Sequence, residues 1–392
     1  MDAKAVIPST RHGAGTEPPG WRERWLAWRD RCLTSASFRR RAARIPFVRA
    51  IARRRAAQVF DLVAGFAYSQ VLAACVRLRL FDRLADGPQT LESLAAQLSL
   101  TPAAAERLLA AAIALRLVER RRGDRFGLGV LGAPLVGNAG VVAMVEHHAL
   151  LYADLADPVA LLRGTQPSSH LADYWPYAGR ADPRDVTPEA AARYSDLMAA
   201  SQPLVAEEIL DAVDFASHCC LLDVGGGDGS FLVAAATRAS ALRVVLFDLP
   251  AVAERARRRF AAADLTARAT VEGGDFAVDA LPAGADVCTL IRVLHDHDDA
   301  RIATLLRAVH AALEPGGTLV VAEPMAQTPG AESMGDAYFG FYLLAMGRGR
   351  PRSAAQLAAV LRDAGFVDVR PIPTAQPLQT RILVARKASR KP

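Results

Sequence analysis

The stretch Leu221-Leu222-Asp223-Val224-Gly225-Gly226-Gly227-Asp228-Gly229-Ser230-Phe231 decides how this chain folds. Two leucines and a valine read as a buried parallel strand, and the glycines allow a tight turn against a ligand. Ser230 is placed to cap a helix running through Phe231 to Ala236. Strand, Gly-rich turn and helix make a nucleotide-binding βα unit. The glycine spacing is informative. A dinucleotide fingerprint, G-x-G-x-x-G, rests a pyrophosphate on the helix N-terminus. Here the glycines fall at Gly225, Gly227 and Gly229, and Ser230 holds the third place of the longer motif. Asp223 and Asp228 would repel a pyrophosphate but suit a cationic, phosphate-free ligand such as S-adenosylmethionine, a sulfonium carrying an amino-acid group. Taken alone, the stretch also fits a plain Gly-rich loop between core elements.

Downstream, strand and helix patterns alternate. Arg243 to Asp248 reads as a strand ending in an acid, followed by Leu249-Pro250 and a helix to about Phe260. Asp248 lies 23 residues after Gly225, near where an acid grips ribose hydroxyls in such folds. Ala269 to Glu272 is a short strand leading to Gly274-Asp275-Phe276, and Asp286 to Arg292 leads to His295-Asp296-His297-Asp298. Glu314 to Gly317 reads as a turn into strand Thr318 to Ala322, which Glu323 ends. Ser353 and Gln356 form a capping box, and two further short strands close the sheet. The pattern predicts an α/β domain with a doubly wound, mostly parallel sheet, its ligand crevice beyond the strand C-termini. Asp223, Asp248, Asp275, His295 and Glu323 are expected to line that crevice.

Upstream, the first 20 residues are rich in Gly, Pro, Ser and Thr and read as disordered. Residues 21–55 hold twelve arginines, with Trp21, Trp25 and Trp28 spaced to share one helical face. Such an arm suits an anionic membrane surface, and equally a partner subunit. Residues 56–140 run as helices and then a hairpin, the outline of a winged helix. Its second helix, from Pro102, is nearly all Ala and Leu with Arg107 its one basic residue, so dimerisation fits it better than DNA. Residues 141–203 read as a helical connector with a loop from Arg163 to Pro183, whose Tyr174, Trp175 and Tyr177 suit a pocket or simple packing. The catalytic domain is placed at 204–392.

The length of 392 residues accommodates several domains, and the net charge of +6 is concentrated in the arm. Five cysteines without metal-ligand spacing read as reduced thiols of a cytosolic protein. The longest apolar run, Leu62 to Val76, is interrupted by Gly65, Tyr68, Ser69 and Gln70, short of the ~20 residues a spanning helix needs. No signal-peptide core is visible. A cytoplasmic location is expected, with peripheral contact on an inner or photosynthetic membrane through the arm.

From Phe60 to Arg386 the ordered motifs resemble the S-adenosylmethionine-dependent O-methyltransferases of the caffeate and acetylserotonin type, a class I Rossmann-like fold with a winged-helix dimerisation domain. They are the Gly-rich turn, Phe247-Asp248-Leu249-Pro250, Gly274-Asp275-Phe276, Leu294-His295-Asp296 and Glu314-Pro315-Gly316-Gly317. The resemblance implies a cofactor set of Asp223, Gly225, Gly227, Asp248, Leu249, Asp275, Phe276 and Arg292. In it Asp248 holds the ribose, Asp275 and Phe276 meet the adenine, and Arg292 takes the place of a lysine. His295 becomes the general base, Glu323 the acid that orients it, and no metal is required. A homodimer is implied as well. Two positions depart from the pattern: His297 stands where tryptophan is usual, and Pro351 where a second acid is usual. Phe60 to Gln70 and Gly340 to Arg350 resemble more narrowly the carotenoid O-methyltransferases of purple photosynthetic bacteria, which implies an apolar hydroxylated substrate. A bacteriochlorophyllide or a small phenol or polyketide is the alternative acceptor.

The chemistry follows from the residue types. An alcohol becomes a competent nucleophile as its proton leaves, and an imidazole with a reference pKa of about 6.5 accepts a proton near neutrality. Glu323 could fix the tautomer of His295. A strand-end histidine in a solvated acidic turn is the plainer reading. Metal binding by His295, Asp296, His297 and Asp298 would need an irregular turn, since neighbours on a strand point apart. A winged-helix regulator that senses S-adenosylmethionine is the non-enzymatic alternative.

Overall fold

The structure is a computed structural model that describes residues 20–175, 188–377 and 380–389. The segment read as disordered, residues 1–19, and Tyr177 lie outside the described residues. The chain divides into two units between Val71 and Leu72.

The first unit holds α1 (Trp21–Thr34), α2 (Ala36–Ala42) and most of α3 (Pro46–Arg77). Ser35 caps α2 by accepting from the Phe38 amide. On α1 the three tryptophans share a face and are 81%, 51% and 53% exposed. Here the structure departs from the sequence reading in two ways. The boundary placed at residue 55 falls inside α3, and α3 continues unbroken through Gly65, Tyr68, Ser69 and Gln70. One glycine costs a helix only about 1 kcal/mol, so the interruptions do not end it. By length and composition alone, α3 could cross a membrane.

The second unit opens with α4 (Leu80–Ala85), β1 (Gln89–Thr90), α5 (Leu91–Gln97), α6 (Pro102–Ala114), β2 (Val118–Arg121) and β3 (Arg125–Leu128). Thr101 caps α6, with Pro102 at its first position, and Gly123 and Asp124 turn the hairpin with positive φ. The three strands pair in the order β1-β3-β2, completing the winged-helix outline. In α6 the buried face is Ala105, Leu109 and Ala112.

Among the described residues four α-helices follow: α7 (Ala139–Asp154), α8 (Pro158–Arg163), α9 (His170–Tyr174) and α10 (Pro188–Ala212). The boundary expected at residue 203 lies inside α10, which carries Pro203 without ending. An internal proline costs roughly 3 kcal/mol. Burial of Val205, Ala206 and Ile209 just beyond it supplies the opposing term.

The remaining chain alternates β4 (Cys220–Val224), α11 (Ser230–Arg238), β5 (Arg243–Asp248), α12 (Pro250–Ala262), β6 (Ala269–Gly273), β7 (Ala285–Ile291), α13 (Asp299–Ala312) and β8 (Leu313–Glu323). A π-helical turn, Ser333–Tyr338, leads into α14 (Phe339–Met346), followed by α15 (Ala354–Asp363), β9 (Phe366–Ile372) and β10 (Arg381–Lys387). The sheet order is β6-β5-β4-β7-β8-β10-β9; β10 runs antiparallel to both neighbours, and the five strands from β6 to β8 are parallel. This is the doubly wound arrangement expected. One detail differs: the Glu314 to Gly317 turn lies within β8, as a register shift between the Ala285–Leu313 and Val287–Thr318 pairs. Apolar side chains cover both sheet faces, with Leu222, Cys288 and Val321 in one cluster and Leu221, Val287 and Val320 in the other. The alternation along each strand accounts for the two cores. All five cysteines are free, with Cys75, Cys220 and Cys288 buried and Cys219 exposed. Burial pushes the Cys75 thiol up to about 12 and Cys288 well above the usual thiol range.

Candidate active site

The order reversal on either side of β4 opens a crevice beyond the C-terminal ends of β4, β5 and β7, where doubly wound sheets bind ligands. Two adjoining clefts share Gly225, Asp248 and Arg292. The first is walled by Asp223, Gly226, Gly227 and Asp228 and by Ser195, Met198 and Gln202 of α10. The second is walled by Leu249, Asp275, Phe276, Asp296 and His297, with Trp175, Met346 and Arg348 opposite.

In the Gly-rich turn, Gly225, Gly227 and Gly229 have φ of 72°, 62° and 81°, a region that disfavours other residues. A β-carbon on Gly227 would meet no atom within 4 Å, so the backbone edges an open cradle. The Gly227 amide donates to Asp248 Oδ2 at 2.8 Å, and the Leu249 amide to Oδ1 at 2.7 Å. Thr289 donates to Asp223 Oδ1 at 2.7 Å. Burial raises Asp223 to about 7 and Asp248 to about 6, even against those hydrogen bonds. Both buried carboxylates border the first cleft, the place the sequence gives to a cationic cofactor.

Asp228 does not add to that field. Its carboxylate pairs with Arg259 and accepts from the Ser230 hydroxyl and amide, so its charge is already compensated. Nor does Ser230 cap α11 as expected: Gly229 is the cap residue, and the Ser230 side chain turns to Asp228.

In the second cleft, Arg301 donates to Asp275 at 2.8 Å and lies 4.8 Å over the Phe276 ring. His297, in the place of the usual tryptophan, meets Phe276 edge-on with ring centres 5.3 Å apart. Burial, with Arg301 and His295 nearby, drops His297 to about 3, so it is neutral. Arg292 adopts a φ of 55° at the end of β7. Its guanidinium reaches Ser201 Oγ at 2.8 Å, the Met198 carbonyl at 3.1 Å and Gln202, tying β7 to α10.

His295 sits on a single 3-10 turn, Leu294–Asp296. Glu323, 1% exposed at the end of β8, orders that turn: Oε1 accepts from the Val293 and Leu294 amides at 2.9 and 2.7 Å, and Oε2 pairs with His295 Nδ1. The other nitrogen, Nε2, lies 3.1 Å from Asp296 Oδ1. Burial alone would lower the imidazole, but Asp296 and Glu323 outweigh it and raise His295 to about 9. Of the five residues expected to line the crevice, Asp223, Asp248 and Asp275 border the two clefts, whereas His295 and Glu323 border neither and the adjacent Asp296 does. The pair is a buried proton-holding unit beside the cleft.

Two supports carry no local signal in the sequence. Arg352, 3% exposed, donates to the carbonyls of Leu294 at 3.0 Å and His297 at 2.9 Å and to Asp299 at 2.6 Å. The Arg350 amide donates to the His295 carbonyl at 2.9 Å, and Gly349 passes so close to that carbonyl that a β-carbon would collide with it. The segment around Pro351 therefore straps the histidine turn from outside. The four side chains weighed as a metal set diverge: His295 faces Glu323, His297 faces Phe276, and Asp298 caps α13. Among the described residues no group of three or more His, Cys, Asp or Glu is arranged to hold a metal ion.

Residues 152–367 match the O-methyltransferase domain family, and residues 60–135 match the O-methyltransferase dimerisation domain. Over 390 residues the chain is 45% identical to a demethylspheroidene O-methyltransferase of Cereibacter sphaeroides, covering 99% of this chain and 100% of the relative. A demethylspheroidene O-methyltransferase of Rhodobacter capsulatus is 41% identical over 345 residues, covering 88% and 85%. Among solved structures, CalO1, a methyltransferase in calicheamicin biosynthesis in its SAH-bound form, superposes with a TM-score of 0.70. It is 27% identical, with 86% of this chain and 98% of that one covered.

Proposed function

The chain belongs to the S-adenosylmethionine-dependent O-methyltransferases, and we propose that it methylates the tertiary hydroxyl of an acyclic hydroxylated carotenoid. The observation that carries the acceptor is the end-to-end likeness to a demethylspheroidene O-methyltransferase. S-adenosylmethionine supplies the methyl group as an electrophile whose leaving group is a neutral thioether. Asp223 and the Gly225–Gly227 turn hold its amino-acid end, Asp248 and Leu249 its ribose, and Asp275 and Phe276 its adenine. Arg292 braces the shared wall of the two clefts.

His295 removes the acceptor proton. Glu323 fixes Nδ1, leaving Nε2 for the proton of the alcohol, and Asp296 beside it stabilises the imidazolium that forms. A tertiary alcohol is very weakly acidic, so its proton leaves as the methyl group arrives. The neutral imidazole is the working form, and Asp296 and Glu323 hold His295 protonated well above the usual imidazole range. Activity therefore rises with pH.

The protein works in the cytoplasm, at the surface of an inner or photosynthetic membrane. Trp21, Trp25 and Trp28 exposed among arginines support shallow burial in an anionic interface. Purified protein incubated with labelled S-adenosylmethionine and hydroxylated carotenoids should yield a labelled methyl ether. Labelling of water-soluble catechols with none of the carotenoid would reject the acceptor and leave the methyltransferase intact.

A further inference from the structure

Asp228, the acid inside the Gly-rich turn, borders two hollows. One is the first cleft, which it shares with Asp223 and Asp248; the other is lined by Arg255, Arg258 and Arg259 of α12. The Asp228 side chain is 8% exposed and that of Arg259 44%, so the pair runs from the cleft wall out to solvent. Asp228 Oδ1 accepts from the Ser230 amide at 3.1 Å and from its hydroxyl, while Oδ2 pairs with the Arg259 guanidinium. Helix α12 is seated against the turn: a β-carbon on Gly229 would come within 2.7 Å of the buried Phe260 ring, next in sequence to Arg259. Its neighbours Arg255 and Arg257 pair elsewhere, with Asp196 and Glu254. Arg259 is the cation that answers Asp228.

We propose that the Asp228–Arg259 pair sets the charge selectivity of the cofactor cleft: Arg259 cancels the third carboxylate on its wall, and so sets how strongly the cleft prefers the cationic cofactor over the neutral product. This rests on the placement of S-adenosylmethionine in the first cleft and deepens it. The cofactor carries a sulfonium, and S-adenosylhomocysteine differs from it by one methyl group and that positive charge. In methyl transfer the carbon–sulfur bond breaks as the oxygen–carbon bond forms. The electron pair of the broken bond stays on sulfur and neutralises it, and the acceptor proton passes to His295. Positive charge at sulfur is therefore smaller in the transition state than in the ground state, and a bare carboxylate facing it would stabilise the reactant and slow the step. Arg259 lifts that penalty and leaves Asp228 in place to accept from Ser230 at the start of α11.

Calorimetry at about 50 mM salt gives Kd for S-adenosylhomocysteine and for S-adenosylmethionine, and the readout is the ratio of the first to the second. Arg259→Gln leaves Asp228 charged and unpaired and should raise the ratio about fivefold, with S-adenosylhomocysteine affinity held within about twofold. Asp228→Asn keeps an acceptor for Ser230 but leaves Arg259 unpaired, and should lower the ratio about as much. The double variant should return to within about twofold of the unaltered protein, and Arg259→Lys, which keeps the charge, should stay there too. In Arg259→Gln, kcat should fall together with KM for S-adenosylmethionine, the mark of a reactant held too well. The single variants carry the test with opposite signs, so either decides it should the other fail to fold. An ion pair that only packs the turn would move both ligands together. That outcome, or a ratio unchanged in the single variants, overturns the inference, while Asp248→Ala still weakens both ligands and the cofactor placement stands. Asp248→Ala that leaves both affinities unchanged overturns both.

Discussion

At the scale of single residues the decisive balance is at His295. Two buried carboxylates hold its proton more firmly than burial removes it, so kcat/KM should climb tenfold per pH unit below about pH 8 and level off near 9. Glu323→Gln keeps an acceptor for the backbone amides but deletes one charge. It should shift that profile to lower pH with a reduced maximum. His295→Ala should abolish methylation while S-adenosylmethionine affinity stays within about twofold, since the proposed base acts on the acceptor and not on the cofactor. The same shift carries a stability signature. The folded value lies above the unfolded 6.5, so the contribution is full below pH 6.5 and is lost as pH rises toward 9. It amounts to roughly 3 kcal/mol at most, read by denaturant titration across that range and absent in His295→Gln. The two carboxylates proposed to hold the cofactor run the other way. Asp223 and Asp248 are partly protonated near pH 6, and a cation prefers them ionised, so affinity should rise between pH 5.5 and 8, with proton release measurable by calorimetry in two buffers. Asp248→Ala should cost about 1–3 kcal/mol of that binding.

At the scale of elements, the strap over the histidine turn is the feature to break. Arg352→Met removes a buried guanidinium that satisfies two carbonyls and Asp299, and should cost about 2–4 kcal/mol of stability in denaturant. With folding verified, kcat should fall while S-adenosylmethionine affinity holds, because the strap acts on the turn and not on the glycine loop. The contrast shows which contacts a sequence can announce. The β4 turn is legible because strand, glycines and helix follow one another within eleven residues. Glu323 and Asp248 are legible as acids ending strands. Arg352 is 58 residues from the carbonyl of Leu294, and Arg259 is 31 from Asp228; neither separation leaves a periodic trace. The continuity of α10 through Pro203 was hidden for a related reason. Local chemistry argues for a break there, and packing of residues distant in sequence overrules it.

For the whole molecule, the dimerisation domain sets the first expectation. Light scattering at low micromolar concentration should give twice the 41.8 kDa chain mass. The arm sets the second. Without residues 1–55 the protein should turn over detergent-dissolved acceptor normally and membrane-dissolved acceptor several-fold more slowly, with less flotation on anionic vesicles. Equal rates on both would reduce the arm to a packing element.

The distribution of thiols has a practical consequence of another kind. Cys219 is exposed, while Cys75, Cys220 and Cys288 are buried in the folded chain with their thiols held protonated. Alkylation is a reaction of the thiolate, so in the folded protein an iodoacetamide clock at pH 8 reads the exposed Cys219 and the half-buried Cys32 before the buried three. Cys75 sits near the end of α3 and Cys288 at the centre of the sheet, and each becomes alkylatable only when its own surroundings open. Mass spectrometry of the adducts over time would thus date the opening of each region separately, with no label added to the protein.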